Sequence, residues 1–316
     1  MKSSATLVLA NHRPESIPLA KQLMERHDAV ILEEPPDDRF QRMLCGELSI
    51  DTYLERLDLE YPEFSRRMSE TLRRLHGMGK RLYQAEPFLE KLLKIHELFA
   101  GGSSPEDLKG GTDLGEVYSA ERDATAALID FYRISVSGTF EETVDAVKRF
   151  ARSDARRFLV RDRMRADAIV GILNQPGTYV IEAGQIHYPL WKELKRRLPA
   201  YYPLTVTFLM ADAVRRLGYR DHLYGPGDLL TLLLIFHPNR DSREDDLLAA
   251  RALIYNKLIA KEEIVETTDI YPHTRNELET AATVRSLSME DCRHLFSLIR
   301  SASTETARDM VRHYLK

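Results

Sequence analysis

Residues 177–191, GTYVIEAGQIHYPLW, decide how this chain folds. Thr178, Tyr179, Val180 and Ile181 form a short apolar run of β-branched and aromatic residues after the Gln-Pro-Gly break at 175–177. Such a run predicts a buried strand. It ends in Glu182, Ala183 and Gly184, and the helix-like PLWKELKRRL follows. A strand, a glycine and a helix in succession place a polar turn at the carboxyl edge of a sheet, where open α/β sheets bind ligands. Glu182 and His187 lie in that turn, so a carboxylate and an imidazole are expected to flank one cleft.

The amino-terminal residues repeat the pattern. Residues 5–10 (ATLVLA) predict a strand that stops at Asn11-His12-Arg13-Pro14. Ile17, Leu19, Ala20, Leu23 and Met24 then recur at the spacing of a helix lying on a sheet. Residues 29–32 (AVIL) predict a second buried strand running into Glu33-Glu34-Pro35-Pro36, where the prolines end it. The three segments form a βαβ unit with parallel strands and a right-handed crossover. His12 and Glu33/Glu34 thus come to the same sheet edge. Residues 81–85 (RLYQA) are a third short strand candidate, ending at Glu86-Pro87.

Helical patterns fill much of the rest. Phe64, Met68, Leu72 and Leu75 mark one helix, stopped by Gly77 and Gly79, and residues 88–99 mark another. Residues 101–115 read as a loop. Residues 116–133 and 140–173 are helical, separated by a turn at 135–138. Thr139, with Glu142 three residues on, forms a capping box. A further strand is expected at 203–210 (PLTVTFLM). After Gly225-Pro226-Gly227 the chain reads as helices alone, and DLLTLLLIF there could pack inward or recruit a partner. The expected architecture is α/β: a central, mostly parallel sheet in residues 1–225 with a helical insertion at about 37–173, then an all-helical segment at 226–316.

Composition limits the function classes. The chain of 316 residues has a net charge of −4, which argues against general binding to nucleic acid or anionic membranes. The basic clusters Arg66/Arg67/Arg73/Arg74 and Lys195/Arg196/Arg197 fall at helical spacing and read as solvated faces. Cys45 and Cys292 are its two cysteines and form no CxxC pattern, so neither a disulfide scaffold nor a cysteine zinc site is expected. Without a long apolar run, a cytoplasmic protein without membrane spans is expected. A homo-oligomer through the C-terminal helices is compatible with this reading.

The strand ends collect His12, Glu33, Glu34, Glu86, Glu182 and His187. Such a set supports two chemistries. A histidine could take a proton while a glutamate orients it and an arginine steadies developing negative charge. Alternatively, imidazoles and a carboxylate could hold a divalent metal that activates water. Arg161 and Arg163 lie in the helix feeding the 178–181 strand. Arg161 offers a bidentate anion clamp.

Three matches, in this order along residues 5–198, resemble the erythromycin esterase-like, TraB/TIKI and ChaN-type superfamily. They are LVLANH with His12 followed by AVILEE with Glu33/Glu34; the RDR of Arg161, Asp162 and Arg163 with Ala166 and Ile169 beyond; and an apolar strand followed by Gly184-x-x-His187. The resemblance implies an α/β fold with a cleft at the strand ends. Members include hydrolases of macrolide esters, metal-dependent peptidases and a haem-binding protein, so it implies a site more closely than a reaction.

The expected function is hydrolysis of a small ester- or amide-containing molecule. His12 or His187 would act as base, Glu34 as its orienter and Arg161 as the clamp. Glu33, Glu86, Arg163 and Glu182 would be ligand-binding residues. His12, Glu34 and His187 would be the ligands if a divalent metal (Mn, Fe, Co or Zn) takes part. The alternative is a non-catalytic binder of a metal, haem or other small ligand, with Tyr83, Tyr179 and Tyr188 as further donors. Between the adjacent Glu33 and Glu34, Glu34 is expected to face the cleft because it lies nearer the strand end.

Overall fold

The computed structural model describes residues 3–316 apart from 58, 109, 223 and 266. Two compact units emerge, each assembled from separate stretches of chain. The first comprises Met1–Val117, Val160–Asp212 and Glu262–Ile270 and contains the sheet. The second comprises Tyr118–Leu159, Ala213–Lys261 and Tyr271–Lys316.

The sheet has five strands: β1 (Ser4–Ala10), β2 (Ala29–Leu32), β3 (Arg81–Gln84), β4 (Thr178–Gly184) and β5 (Leu204–Phe208). Their spatial order is β3-β2-β4-β1-β5, and every pairing is parallel. The α/β reading therefore holds, and the 177–191 stretch supplies the central strand. β4 lies between β1 and β2, which the opening βαβ unit leaves apart.

Side-chain alternation sends the sheet's two faces to different helices. Even-numbered residues Val8, Val30, Leu32 and Val180 pack against α1 (Ile17–Glu25), α2 (Asp38–Leu44), α3 (Ile50–Leu54) and α4 (Pro62–Gly77). Beyond β3 come α5 (Pro87–Ala100), α6 (Asp113–Ser137), α7 (Phe140–Leu173) and, after β4, α8 (Tyr188–Arg197). Odd-numbered Leu7, Leu9, Ile31, Tyr179 and Ile181 pack against the last turns of α7 and against α8, through Ala166, Ile169, Leu173, Leu190 and Leu194. The three central strands are buried on both faces, which is why they read as continuous apolar runs, while the edge strands β3 and β5 are partly exposed.

Among the described residues the second unit is all helical. Phe140 of α7 packs on Phe296 with ring centroids 5.7 Å apart, and Arg300 donates to the carbonyls of Gly138 and Ser135. The short α9 (Ala211–Arg216) begins at the boundary of the first unit. α10 (Pro226–Phe236), α11 (Arg243–Leu258), α12 (Pro272–Arg285), α13 (Met289–Ile299) and α14 (Thr304–Tyr314) follow. The apolar run of α10 packs inward, with Leu230, Leu232, Leu234 and Ile235 buried.

Three boundaries differ from the sequence reading. The division is not at 225: Tyr118–Leu159 joins the C-terminal helices, because the distal halves of α6 and α7 bury their apolar face there. The span 37–173 is not purely helical, because β3 within it is a sheet strand. Residues 135–137 are not a turn but the end of α6, and the break falls at Gly138, where a Cβ would come within 2.7 Å of the Ile134 side chain. The capping box at Thr139 is present, with Glu142 accepting from the Thr139 amide at 2.7 Å. The 101–115 loop contains a short 3-10 turn at Pro105–Asp107, and its Lys109 lies outside the described residues. Among the described residues no helix is long and apolar enough to cross a membrane.

Candidate functional site

The parallel register brings the strand ends together. Ala10 lies opposite Gly184, Ile31 opposite Ile181, and Leu32 opposite Gln84. Residues 11–12, 33–34, 85–86 and 182–187 therefore meet at one carboxyl edge around the central strand, on both sides of β4. This is the position where strand connections leave toward opposite faces and a crevice opens.

Alternation then sorts the acids. Glu33 continues the odd-numbered face toward α7 and α8. Its carboxylate accepts from Arg161 at 2.8 Å and from the Gly184 amide at 2.7 Å, and it meets His187 Nε2 at 2.7 Å. Glu34 continues the other face and accepts from Gln84 at 2.9 Å, with Tyr53 beside that amide. The expectation that Glu34 rather than Glu33 enters the network is thus reversed, because the two point to opposite faces of β2.

His187 starts α8 and is buried. Its Nδ1 lies 2.5 Å from Asp162 and its Nε2 faces Glu33, so both nitrogens are committed to carboxylates. Burial opposes its charge, but Glu33 and Asp162 outweigh that and push its pKa up to about 9. At neutral pH it is an imidazolium donating both protons. It is therefore poorly placed to act as base or metal ligand.

Arg161 and Arg165 supply the remaining positive charge. Arg161 Nε donates to Glu86 at 3.0 Å and one terminal nitrogen to Glu33. Fully buried Arg165 donates to the Ala85 carbonyl at 3.0 Å and the Glu182 carbonyl at 2.5 Å, with Glu33 3.5 Å away. Burial would raise the Glu33 pKa, yet His187, Arg165 and Arg161 together hold it well below the carboxylate range. Arg163 does not join this network. It pairs with Glu116 and is half exposed, because it faces away from the Arg161/Arg165 side of α7.

His12 has a different setting. Its Nε2 meets Glu182 at 2.6 Å, and the other Glu182 oxygen accepts from the Glu33 amide at 3.0 Å. One third of the His12 side chain is exposed, and Phe64 stacks on it with centroids 5.3 Å apart. No described residue bonds its Nδ1. Burial opposes its charge, but Glu182 beside it and Glu33 behind raise its pKa above the ordinary value of 6.5. Glu182 is correspondingly held low, chiefly by His12 against the opposing burial. Burial raises Glu34.

The metal-ligand set expected from sequence was His12, Glu34 and His187. The atoms that converge instead are those of His12, Glu33 and Glu182, one from each lying within 4.8 Å of the others. Gly184 borders the same space: a Cβ there would sit 3.5 Å from His187, 3.7 Å from Glu33 and 3.8 Å from His12. Tyr83 and Tyr179 do not reach it. Their hydroxyls bond to Gln175, at the opposite end of the strands. Tyr188 packs against Trp191 and Phe208.

Arg165 and Asp162 were not among the expected site residues. The available signal was the buried stripe of α7, where Phe158, Asp162, Arg165, Ile169 and Leu173 follow one another at spacings of three or four. A charged residue in such a stripe is buried and must be paired.

The network sets a pH window for stability. The ion pairs of Glu33 are present above its unfolded value near 4.5 and weaken as pH falls. Those of His187 are fully present below 6.5 and are lost as pH rises through about 9. Chemical unfolding of the sheet unit, followed by the fluorescence of the single tryptophan, Trp191, is therefore expected to peak between about pH 5 and 6.5. A midpoint still climbing at pH 9 contradicts the assignment.

Fold and site define a parallel α/β protein with a buried, charge-balanced cluster at its carboxyl edge and one histidine left accessible. A protein of Archaeoglobus fulgidus, described as an uncharacterized protein, is 30% identical over 291 residues, covering 92% of this chain and 97% of that one. The chain belongs to the family which that archaeal protein represents. No protein-family model matches the chain, and no solved structure matches it.

Proposed function

We propose that this protein hydrolyses a small ester- or amide-containing molecule, with His12 as general base and Glu182 as its orienting partner, as the motif resemblance to the erythromycin esterase-like, TraB/TIKI and ChaN-type superfamily suggests. The observation that carries the reading is the contrast between the two histidines. His187 is locked between two carboxylates, whereas His12 keeps one nitrogen without a partner among the described residues and is partly open to solvent.

In this reading Glu182 holds the Nε2–H tautomer, leaving the Nδ1 lone pair to receive a proton from water. The water oxygen bonds to the substrate carbonyl carbon, and the imidazolium gains stability from Glu182. The carbonyl carbon then loses its alcohol or amine, which takes the proton from His12. Arg161 has used Nε and one terminal nitrogen on Glu86 and Glu33. Its remaining terminal nitrogen is the donor available to the tetrahedral oxyanion. Glu33, Glu86, Arg165, Asp162 and His187 keep that guanidinium and β4 in place.

A panel of p-nitrophenyl esters and small anilides tests this reading through its pH dependence. A base with a raised pKa is free only above it, so the rate is expected to rise with pH through a midpoint above 6.5. Glu182→Gln removes the cause of the rise and should move that midpoint down while reducing the rate. A midpoint unmoved by Glu182→Gln rejects the pair as the acid–base device.

One observation favours a second reading, in which the converging atoms of His12, Glu33 and Glu182 hold a divalent Mn, Fe, Co or Zn that activates the water. The nearby cations Arg161, Arg165 and His187 oppose it, because they already balance the carboxylates. Elemental analysis of the purified protein beside a His12→Ala sample separates the readings. Near-stoichiometric metal that disappears in the variant favours the metal.

A further inference from the structure

The two edge strands of the sheet differ in character. β3 follows Lys80 and begins with Arg81, whose guanidinium bonds to Gln175 and to the Pro176 carbonyl. Charges of this kind guard an edge against further pairing. β5 has no such guard. Residues 198–211, LPAYYPLTVTFLMA, contain no charged side chain, and Thr205, Thr207 and Phe208 are exposed. The Ala5 amide donates to the Pro203 carbonyl at 2.9 Å, and the Leu209 amide donates to the Leu9 carbonyl at 2.9 Å. The ladder to β1 therefore uses the odd-numbered residues of this stretch, and the N–H and C=O groups of Leu204, Val206 and Phe208 point to the outer edge. Among the described residues none bonds to them there. Pro203, which has no N–H to offer, faces β1 and leaves the outer edge complete. We propose that β5 pairs antiparallel with β5 of a second copy of this chain, joining two five-stranded sheets into one across a two-fold axis at Val206.

Three features select a second copy as the occupant. The first is register. An axis at Val206 pairs Val206 with its equivalent and Leu204 with Phe208 of the copy, and only this register engages all three outward residues of both strands. The second is side-chain complementarity. On the α8 face, where Leu204 and Val206 join the core and Phe208 stacks on Tyr188, apolar residues meet apolar ones. On the opposite face Thr205 meets Thr207 of the copy, a favourable cross-strand hydroxyl pair. No charge faces another anywhere along the strand. The third is closure. The two-fold consumes both unguarded edges, and the joined sheet ends on either side in a β3 protected by Lys80 and Arg81. The pairing does not depend on the chemistry at the carboxyl edge.

Light scattering after size exclusion, from micromolar to submillimolar protein, tests the pairing. The parent is expected to reach twice 36.4 kDa. Val206→Pro removes the central outward N–H but no bond of the β1 ladder, so it should stay at 36.4 kDa with the circular dichroism of the parent. Cross-linking gives a second readout that does not rely on that variant folding. In a Cys45→Ser background, the buried Cys292 is the one native thiol left. Thr205→Cys mixed with Thr207→Cys should then form an intermolecular disulfide on oxidation with copper phenanthroline, because the two positions face each other with Cα atoms about 4.5 Å apart, within disulfide reach. Neither variant alone should do so. A parent that stays monomeric over the whole range overturns the proposal. So does a dimer that a folded Val206→Pro leaves intact, which places the interface elsewhere, on the C-terminal helices for example. Thr205→Cys or Thr207→Cys linking to itself, while the mixture gives no mixed disulfide, overturns the axis at Val206.

Discussion

Replacing His12 by alanine is expected to lower hydrolysis of the best ester in the panel by roughly 10²- to 10⁴-fold, the range that a positioned general base contributes. The fold should survive. His12 is one-third exposed, so water can reach the Glu182 oxygen it leaves, and the other Glu182 oxygen keeps its bond to the Glu33 amide. Loss of the Phe64 stack and of one charge-assisted hydrogen bond should cost about 1–2 kcal/mol. A rate within threefold of the parent, in a protein with normal unfolding, removes His12 from the chemistry. A simple packing role would lower stability and rate together while leaving the pH midpoint of the residual rate in place. A base role abolishes that titration. The pH profile of the residual activity therefore separates the two.

Arg165→Met is expected to produce the largest loss of stability, about 3–5 kcal/mol, because it removes one side of a buried charge network while keeping volume and helix propensity similar. Glu33 and Glu86 would lose a buried counter-charge, and the carbonyls of Ala85 and Glu182 would lose their donor at the sheet edge. Trp191 lies on α8 beside Tyr188, within the sheet unit, so its fluorescence in urea reads this unit without assuming that the whole chain unfolds together. The parent and Arg165→Met should differ most near neutral pH. At low pH the difference should shrink, because protonating the carboxylates relieves the unpaired charge. A loss below about 1 kcal/mol at neutral pH would mean that water or a rearranged Arg161 replaces the guanidinium, and that Arg165 is not the centre of the network.

These two expectations assign opposite roles to groups that look alike in the sequence. His12 and His187 each follow a strand, and Arg161 and Arg165 share one helix face. What separates them is the number of partners each has after folding. His187 and Arg165 are buried against carboxylates and carbonyls, so they determine stability. His12 and Arg161 each keep one nitrogen without a protein partner among the described residues, so they are the groups available to a ligand. The cluster is nearly neutral as a whole, which allows so many ionised groups to be buried at one edge.

Local sequence alone determined the strands, most helices and the edge at which the site lies. Burial on both faces demands continuous apolar runs at 5–10, 29–32 and 178–181. Each run must end where the chain meets water, and there His12, Glu33, Glu34, Glu86 and Glu182 follow. The tertiary structure decided the pairing. Only the insertion of β4 between β1 and β2 brings Glu182 to His12 and Glu33 to His187 and the two arginines. Whether Glu33 or Glu34 joined them depended on which face of β2 the helices α7 and α8 cover. The strand ending Leu-Glu-Glu-Pro offers both faces equally, and a residue's neighbours across this sheet are set by contacts between residues 128 to 170 positions apart in the chain, which no local spacing encodes. The same holds for the second unit: the apolar faces of α6 and α7 were legible, but the helices that cover them return from the far end of the chain.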